Sequence, residues 1–555
     1  MTPRAKTIAD AYRACNPDKP LSPDDDRYVD LTANRGVKQI AKTVTRRIKR
    51  SEADARIKLL FTGHRGSGKT TELLRLQKEL KENSFFTIYM DVEEMLDLGS
   101  LSYLDVLVAM AKEVQVGLEK RKIPLSTELL DDIAQWFNER IIEETKSREM
   151  TGGICTEAKA GSEIPLFAKF FAGITASVKA GSSQRETVRA VLKRELNVFM
   201  DRLNLLIDTA RETVQANGFK DIVLIVDGME KMHYELNSEG VSTHTDLFIR
   251  HAEQLRAPQC HIIYTVPVSL AYDQNLGADF DDIHVLPMVR TDTDGIAKLI
   301  ELVERRVDTQ QVFSEPELLT RLVRASGGVV RDLMRLVRMA TDTDADTIIA
   351  ADVDYALKTL RNEYDRLIHS DDIPIFRRIR QERRIQGGDE EAGRLLNLRL
   401  VLEYHNGARS AALHPQLRRS PGSKKHWPML LIKPMMQPES TEAIIRRICR
   451  ALSRADGFAL YFVLVNLPSA RRAIALQIQE QLGRPVIELD VPPEGFGDTT
   501  LDGWLLPKLE ELEKLEGVTA KSPIFLHGLD RVMPSGQVAL RRFPQLLNCR
   551  RSALA

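Results

Sequence analysis

Apolar and polar positions along this chain change period several times, and the changes mark out its elements. Ile57, Leu59, Leu60 and Phe61 form a short apolar run that predicts a buried strand. A glycine-rich turn follows, then an amphipathic helix reaching Leu80. Upstream, Val37, Ile40, Ala41, Val44 and Ile48 fall on one helical face, after an Asp-rich stretch (1–27) that reads as an extended lead-in. Four more strands are predicted at Phe85–Met90, Asp221–Asp227, Cys260–Pro267 and Asp282–Pro287. The run Ile222–Val226 is aliphatic without interruption, as a strand buried on both faces of a parallel sheet requires.

Between the second and third strands the period is helical. Leu104, Val106, Leu107, Ala109, Met110 and Val114 carry one face, and Val188, Val191, Leu192, Leu196, Phe199, Leu203 and Leu206 another. Residues 150–183, rich in Gly, Ala and Ser, predict a loop or short hairpin inside this insertion. After Pro287 comes a helix capped by Asp292 or Asp294. A second opens on the capping box Ser314-x-x-Glu317 and stops at Ser326-Gly327-Gly328, and a third starts at Val330. Helices at 374–384 and 388–397 lead into two strand-like runs joined by Asn406-Gly407, a hairpin signal. That order suggests a winged helix. Its arginines (Arg377, Arg378, Arg380, Arg383, Arg384) are mixed with acids, so DNA binding and a packing or regulatory wing both stand. A Pro/Ser/Gly/Lys linker (418–427) precedes a second α/β pattern, with strands at Met429–Ile432, Phe458–Val465, Val486–Leu489 and Ile524–Leu526. Its stretch 466–472 has no glycine cradle, and the chain ends abruptly for a domain.

Composition narrows the classes. Lys+Arg and Asp+Glu are both 79 in 555 residues, so no global basic field points to nucleic acid. The five cysteines lie far apart without C-x-x-C, which argues for a reducing cytoplasm and against a zinc site. The first residues lack the apolar core of a signal peptide, and no apolar run nears the roughly 18 residues of a membrane span.

The chemistry gathers at the first glycine turn. Gly63, Gly68, Lys69 and Thr70 fill the fixed places of G-x-x-x-x-G-K-[ST] between a strand and a helix, the context a phosphate-binding P-loop needs. Glycines let backbone N–H groups turn toward phosphate oxygens, and the helix N-terminus favours the same anions. The expected nucleotide-binding stretch is therefore Gly63, His64, Arg65, Gly66, Ser67, Gly68, Lys69, Thr70 and Thr71. Lys69 would reach the β- and γ-phosphates of ATP and Thr70 would hold Mg²⁺. Asp227, at a strand end, is the expected second Mg²⁺ group, and Glu230 the group that polarises the attacking water. Asp91 ends the second strand, either near the metal or as a loop cap. Arg331 follows a glycine pair at a helix start, where it could sense the γ-phosphate. Arg185 and Arg189 could reach a neighbouring subunit's nucleotide, or lie on a helix surface. Arg46-Arg47-Ile48-Lys49-Arg50 is a solvated helix end or a partner patch.

The P-loop Gly63–Thr71, the strand end Val226-Asp227-Gly228-Met229-Glu230-Lys231, the Gly-Gly-x-x-Arg lid and the winged-helix pattern together resemble the STAND and KAP-type ATPases, relatives of AAA+ proteins. The resemblance covers about 25–417. It implies an α/β P-loop NTPase of the additional-strand class, with parallel sheet order 5-1-4-3-2, a helical insertion, a helical lid and a winged helix; the second C-terminal α/β domain is read from its own pattern of strands and helices. In that class the Cys260–Pro267 strand lies between those of the P-loop and Asp227, and Thr265 near its end contacts the γ-phosphate or the water. Tyr264 and Ser269 compete for that role. The implied divisions are a lead-in and helix (1–52), an ATPase core (53–290) with its insertion at about 100–216, a lid (291–360), a winged-helix-like domain (361–420) and a C-terminal α/β domain without a functional P-loop (428–555). Lys69, Thr70, Asp227, Glu230 and Arg331 take the roles given above. The implied role is a cytoplasmic, homo-oligomeric ATP-hydrolysing switch in bacterial antiviral defence or signalling, acting with an effector or sensor protein. The alternative is a DNA-binding AAA+-like loader working through the winged helix. Two departures stand out: no transmembrane segment interrupts the core, as KAP members often have, and no 20–50-residue sensor repeat follows, as STAND members usually have.

Overall fold

A computed structural model describes residues 2–52, 54–147, 183–237, 240–273, 275–385, 390–405, 407–417, 476–480, 487–490 and 524–527. It divides into two compact units, Met1–Ser420 and Pro421–Ala555.

The first unit is built on five parallel strands: β1 (Lys58–Gly63), β2 (Phe86–Asp91), β3 (Ile222–Asp227), β4 (His261–Val266) and β5 (Asp282–Leu286). Their spatial order is β2-β3-β4-β1-β5, the expected 5-1-4-3-2 read from the other edge. Each position of β1, β3 and β4 is buried, as follows from covering both faces of a parallel sheet. Alternate side chains serve opposite faces. Leu59, Phe61, Val223, Ile225 and Ile263 pack on the P-loop helix Lys69–Glu82 and the helix Ile40–Arg50. Leu60, Leu224, Val226, Ile262 and Tyr264 join the core of the helical insertion, through Tyr103–Lys120 and Leu196–Ala216. Truncating one such leucine, Leu73 on the P-loop helix, removes a side chain that is 1% exposed. A Leu→Ala change of that kind costs about 2–5 kcal/mol.

The insertion also contains helices Thr127–Ser147 and Ser183–Arg194. The loop or hairpin expected at 150–183 lies almost wholly outside the described residues. The lead-in is not extended throughout. Thr7 accepts the Asp10 N–H and caps a helix Ile8–Ala14. Its Ile8 and Ala11 are buried, and Tyr12 lies under the Arg338 guanidinium on the helix Val330–Ala340. That tertiary contact orders a stretch whose local sequence carries no clear period.

Asp292, rather than Asp294, caps helix Thr293–Glu304 by accepting the Gly295 N–H at 2.9 Å. The capping box at Ser314 does not form. Ser314 N–H instead bonds to Ile348 O, beside the Phe313–Ile348 bridge, and helix Pro316–Ala325 starts one residue later from Glu315. Gly327 and Gly328 adopt positive φ after that helix, and a Cβ on Gly328 would meet Val289 O at 1.8 Å. Helices Asp372–Glu382 and Glu390–Asn397 precede an antiparallel hairpin, β6 (Val401–His405) and β7 (Arg409–Leu413), in the helix–helix–hairpin order read from the sequence.

In the second unit, β8 (Ile487–Asp490) and β9 (Ile524–His527) pair in parallel, at the two later strand positions. The expected strands at Met429–Ile432 and Phe458–Val465, and the stretch 466–472, lie outside the described residues. Among the described residues no helix is long and apolar enough to cross a membrane.

Candidate phosphate and metal site

The C-terminal ends of β1, β3 and β4 meet at one point, and the predicted residues converge there. The loop leaving β1 turns through Gly66 (φ 84°) and Gly68 (φ 99°), conformations that suit glycine. Gly68 delivers Lys69 as the first residue of its helix. The Lys69 ammonium donates to the carbonyls of Gly63 (2.9 Å) and His64 (3.3 Å) and sits 3.0 Å from Glu230 Oε1. Thr70 Oγ1 donates to Asp227 Oδ2 at 2.8 Å, while Gly228 N–H donates to Oδ1, also at 2.8 Å. The two halves of the site, far apart in sequence, thus touch through Thr70 and Asp227, the expected Mg²⁺ groups, and through Lys69 and Glu230, which the sequence did not pair.

Burial acts on both carboxylates, but their partners push them apart. Burial and then the Glu230 charge raise Asp227, and bonds from Tyr89 and Thr70 oppose the rise without cancelling it. Burial also raises Glu230, but the Lys69 charge and the Thr265 hydroxyl outweigh it and hold that carboxyl below its usual range. Glu230 is thereby kept ionised, as a group that must take a proton should be.

Thr265 does its work from behind. Fully buried, it accepts the Met229 N–H at 3.1 Å and donates to Val226 O at 3.4 Å, fixing the turn that carries Glu230. Its two competitors are occupied elsewhere: Tyr264 donates to Leu255 O, and Ser269 Oγ accepts from Asn397. Asp91 takes the loop-cap role, accepting the Glu93 N–H at 3.0 Å, with its carboxyl pushed up to about 6, first by burial.

Other loop residues face away from the phosphate cradle. His64 is fully buried. Its Nε2 accepts the Glu403 N–H (2.9 Å), which leaves Nδ1 to donate to Leu396 O (3.1 Å). Arg65 is exposed, and Thr71 Oγ1 accepts the Leu21 N–H. Arg331 meets the loop through its backbone, its N–H donating to Gly66 O at 3.1 Å. Its guanidinium is paired with Asp18 rather than turned into the cradle. Arg185 and Arg189 are held within the chain, by Asp97 and by Asp105. In the basic helix end, Arg47 pairs with Asp282 and Lys49 donates to Asn83.

Two contributors were not singled out by the sequence reading. Arg35, 3% exposed, donates to Ser67 O in the loop (2.5 Å) and to Pro287 O, and burial pushes its guanidinium down to about 10. Tyr89 OH donates to Asp227 Oδ2 at 2.6 Å. Its place two residues before a strand-end Asp was the one clue available.

The donor set suits a magnesium nucleotide. Among the described residues no three His, Cys, Asp or Glu side chains gather around a metal position. The Thr70 hydroxyl and Asp227 carboxylate are hard oxygen donors of the sort that hold Mg²⁺ together with phosphate oxygens and water. Ser67 Oγ on the loop and Glu230 Oε2, the carboxylate oxygen not paired with Lys69, are buried without a partner among the described residues, which fits a phosphate and a water respectively.

No family model and no curated protein matches the chain. Among solved structures it is similar to the ORC2 protein of Aeropyrum pernix in ADPNP–ADP complexes, at 12% identity over 72% of this chain and 95% of that one, with a TM-score of 0.30. It is likewise similar to a Walker-type ATPase of Pyrococcus abyssi, at 12% identity over 73% and 98%, with a TM-score of 0.35. The assignment to P-loop architecture rests on the strand order and loop geometry above.

Proposed function

We propose that the chain binds ATP with Mg²⁺ and hydrolyses it, as a cytoplasmic, oligomeric switch of STAND/AAA+-like type that controls a partner effector in bacterial antiviral defence or signalling. The observation that carries the enzymatic part is Glu230 held ionised beside Lys69, on the turn after Asp227, with Thr70 bonded to Asp227. The role in defence rests on the sequence resemblance. Its mechanical part draws on the lid, whose Arg331 N–H touches the loop at Gly66.

In this reading the loop N–H groups and Lys69 bind the β- and γ-phosphates. Mg²⁺, held by Thr70 and Asp227, would supply charge neutralisation at those oxygens. Glu230 orients a water and takes its proton as the water oxygen bonds to the γ-phosphorus. The bond from that phosphorus to the ADP oxygen breaks, leaving ADP and phosphate. Thr265 keeps the Glu230 turn in place.

The test is nucleotide binding and phosphate release by three proteins. Wild type binds and turns over, Lys69→Ala loses binding, and Glu230→Gln binds but releases phosphate at least about 100-fold more slowly. Undiminished release by Glu230→Gln removes it from the catalytic role. Particle size with ADP against a non-hydrolysable ATP analogue tests the switch, and identical assemblies in both states argue against it.

One observation favours the DNA-loader alternative. Arg380 and Arg383 line a cavity of about 250 Å³ with Ile379, Ala412 and Leu413. Against it, the helix that precedes the hairpin in sequence starts with Glu390 and Glu391, its Arg394 is bound to Asp372, and its Leu395 and Leu396 are buried. Nucleotide-dependent retention of duplex DNA, weakening steeply with salt, would select this alternative.

A further inference from the structure

The metal-side carboxylate has a third donor that the nucleotide reading leaves without a role. Parallel pairing of β2 with β3 sets Asp91 opposite Asp227 and Tyr89 opposite Ile225. Tyr89 is therefore one pleat period behind Asp227, about 6.6 Å back along the strand at 3.3 Å per residue, and on the same face. A serine or threonine there would be too short to reach the carboxylate. A phenol spans the gap. The ring packs against the cluster of Ile225, Leu73 and Leu76, which limits its rotation, and its hydroxyl arrives 2.6 Å from Asp227 Oδ2.

That oxygen is the one that accepts Thr70 Oγ1 at 2.8 Å. Oδ1 is fixed separately by the Gly228 N–H. Asp227 thus has each oxygen anchored, and Oδ2 carries two hydroxyl donors from different elements. Without the phenol, the bond to Thr70 alone would set which way Oδ2 faces, and that is the hydroxyl a divalent cation recruits. Outer partners of a metal-binding carboxylate fix its orientation and commonly govern affinity by 10–100-fold.

We propose that Tyr89 is a positioning residue of the metal site: its hydroxyl holds Asp227 against Thr70, so that the magnesium nucleotide is gripped through those two groups while Tyr89 touches neither metal nor nucleotide. The proposal rests on the nucleotide-binding reading. Tyr89→Phe deletes the hydroxyl and keeps the packed ring.

The experiment measures binding of a fluorescent ATP analogue to the full chain, first in EDTA and then across a Mg²⁺ titration, beside thermal unfolding without ligand. In Tyr89→Phe the Mg²⁺ concentration for half-maximal enhancement of binding rises about tenfold or more. Affinity in EDTA stays within twofold. In an Asp227→Asn background the same substitution has no further effect on the Mg²⁺ midpoint, because Tyr89 acts through Asp227. A Mg²⁺ midpoint within twofold of wild type overturns the proposal, and so does a shift of equal size in the Asp227→Asn background. A lowered unliganded midpoint with no Mg²⁺ dependence assigns Tyr89 to packing and also overturns it. Wild-type protein that binds no nucleotide with or without Mg²⁺ overturns the underlying reading as well, which separates the two failures.

Discussion

Glu230 depends on a residue that never needs to meet substrate. Thr265 is fully buried, and its hydroxyl accepts the Met229 N–H while helping to hold the Glu230 carboxyl low. Thr265→Val keeps the shape and removes the hydroxyl. The buried Met229 N–H then loses its partner, a loss of about 1–3 kcal/mol in denaturant unfolding. The sign of the pH effect is fixed too. Removing a hydroxyl that favours the carboxylate raises the Glu230 pKa, so the acid limb of phosphate release moves to higher pH. An unchanged acid limb would show that Thr265 only supports the turn. The P-loop and the Asp-x-x-Glu spacing were legible in the sequence because each is set by neighbouring residues. That Thr265 supports the turn from behind was not, because it depends on which side of β4 faces the turn after β3.

At the scale of elements, the P-loop is held at two points along its turn. His64 joins it to β6 and to the end of helix Glu390–Asn397, and Gly66 is pressed against the lid helix Val330–Ala340. A Cβ on Gly66 would lie 2.5 Å from Arg331 Cβ, at a φ of 84° that disfavours any other residue. Gly66→Ala therefore displaces the lid helix or distorts the loop. Faster amide exchange across 330–340 and weaker nucleotide binding are the expected outcome, and unchanged exchange would mean that the lid does not bear on the loop. The lid has a second anchor in Asp332. This fully buried carboxylate accepts the Tyr364 hydroxyl and lies 3.4 Å from Arg399 and 3.5 Å from His414. Loop, lid and hairpin are thus joined by polar groups as well as by packing, so a shift in one strains the others.

For the whole molecule, the balance of 79 basic and 79 acidic residues gives no long-range field. Acid sensitivity has a local origin instead. Burial pushes His64 down to about 3, and His244 and His261 to about 4, from an ordinary value of 6.5. The unfolded chain then binds protons that the folded chain refuses. The stability these rings contribute is present above about pH 6.5 and is lost as the pH falls toward 4. Each ring steepens the loss by about 1.4 kcal/mol per pH unit in that window. Thermal unfolding of wild type should fall between pH 6.5 and 4.5, and His64→Asn should flatten that slope. An identical slope in the variant would mean that His64 titrates normally in the folded protein.

The sequence by itself determined the strand–loop–helix of the P-loop, the buried β3 ending in Asp227 and the position of Glu230. Each follows from local spacing or from an uninterrupted aliphatic run, because those patterns admit few backbone solutions. Only the tertiary structure decided that Tyr89 reaches Asp227, that Arg35 backs the loop, that Arg331 is met by Asp18, and that His64 faces the hairpin rather than a phosphate. Those partners are separated by up to 339 positions. Their pairing is set by sheet register and helix packing, which bring together side chains whose local sequence is equally compatible with solvent.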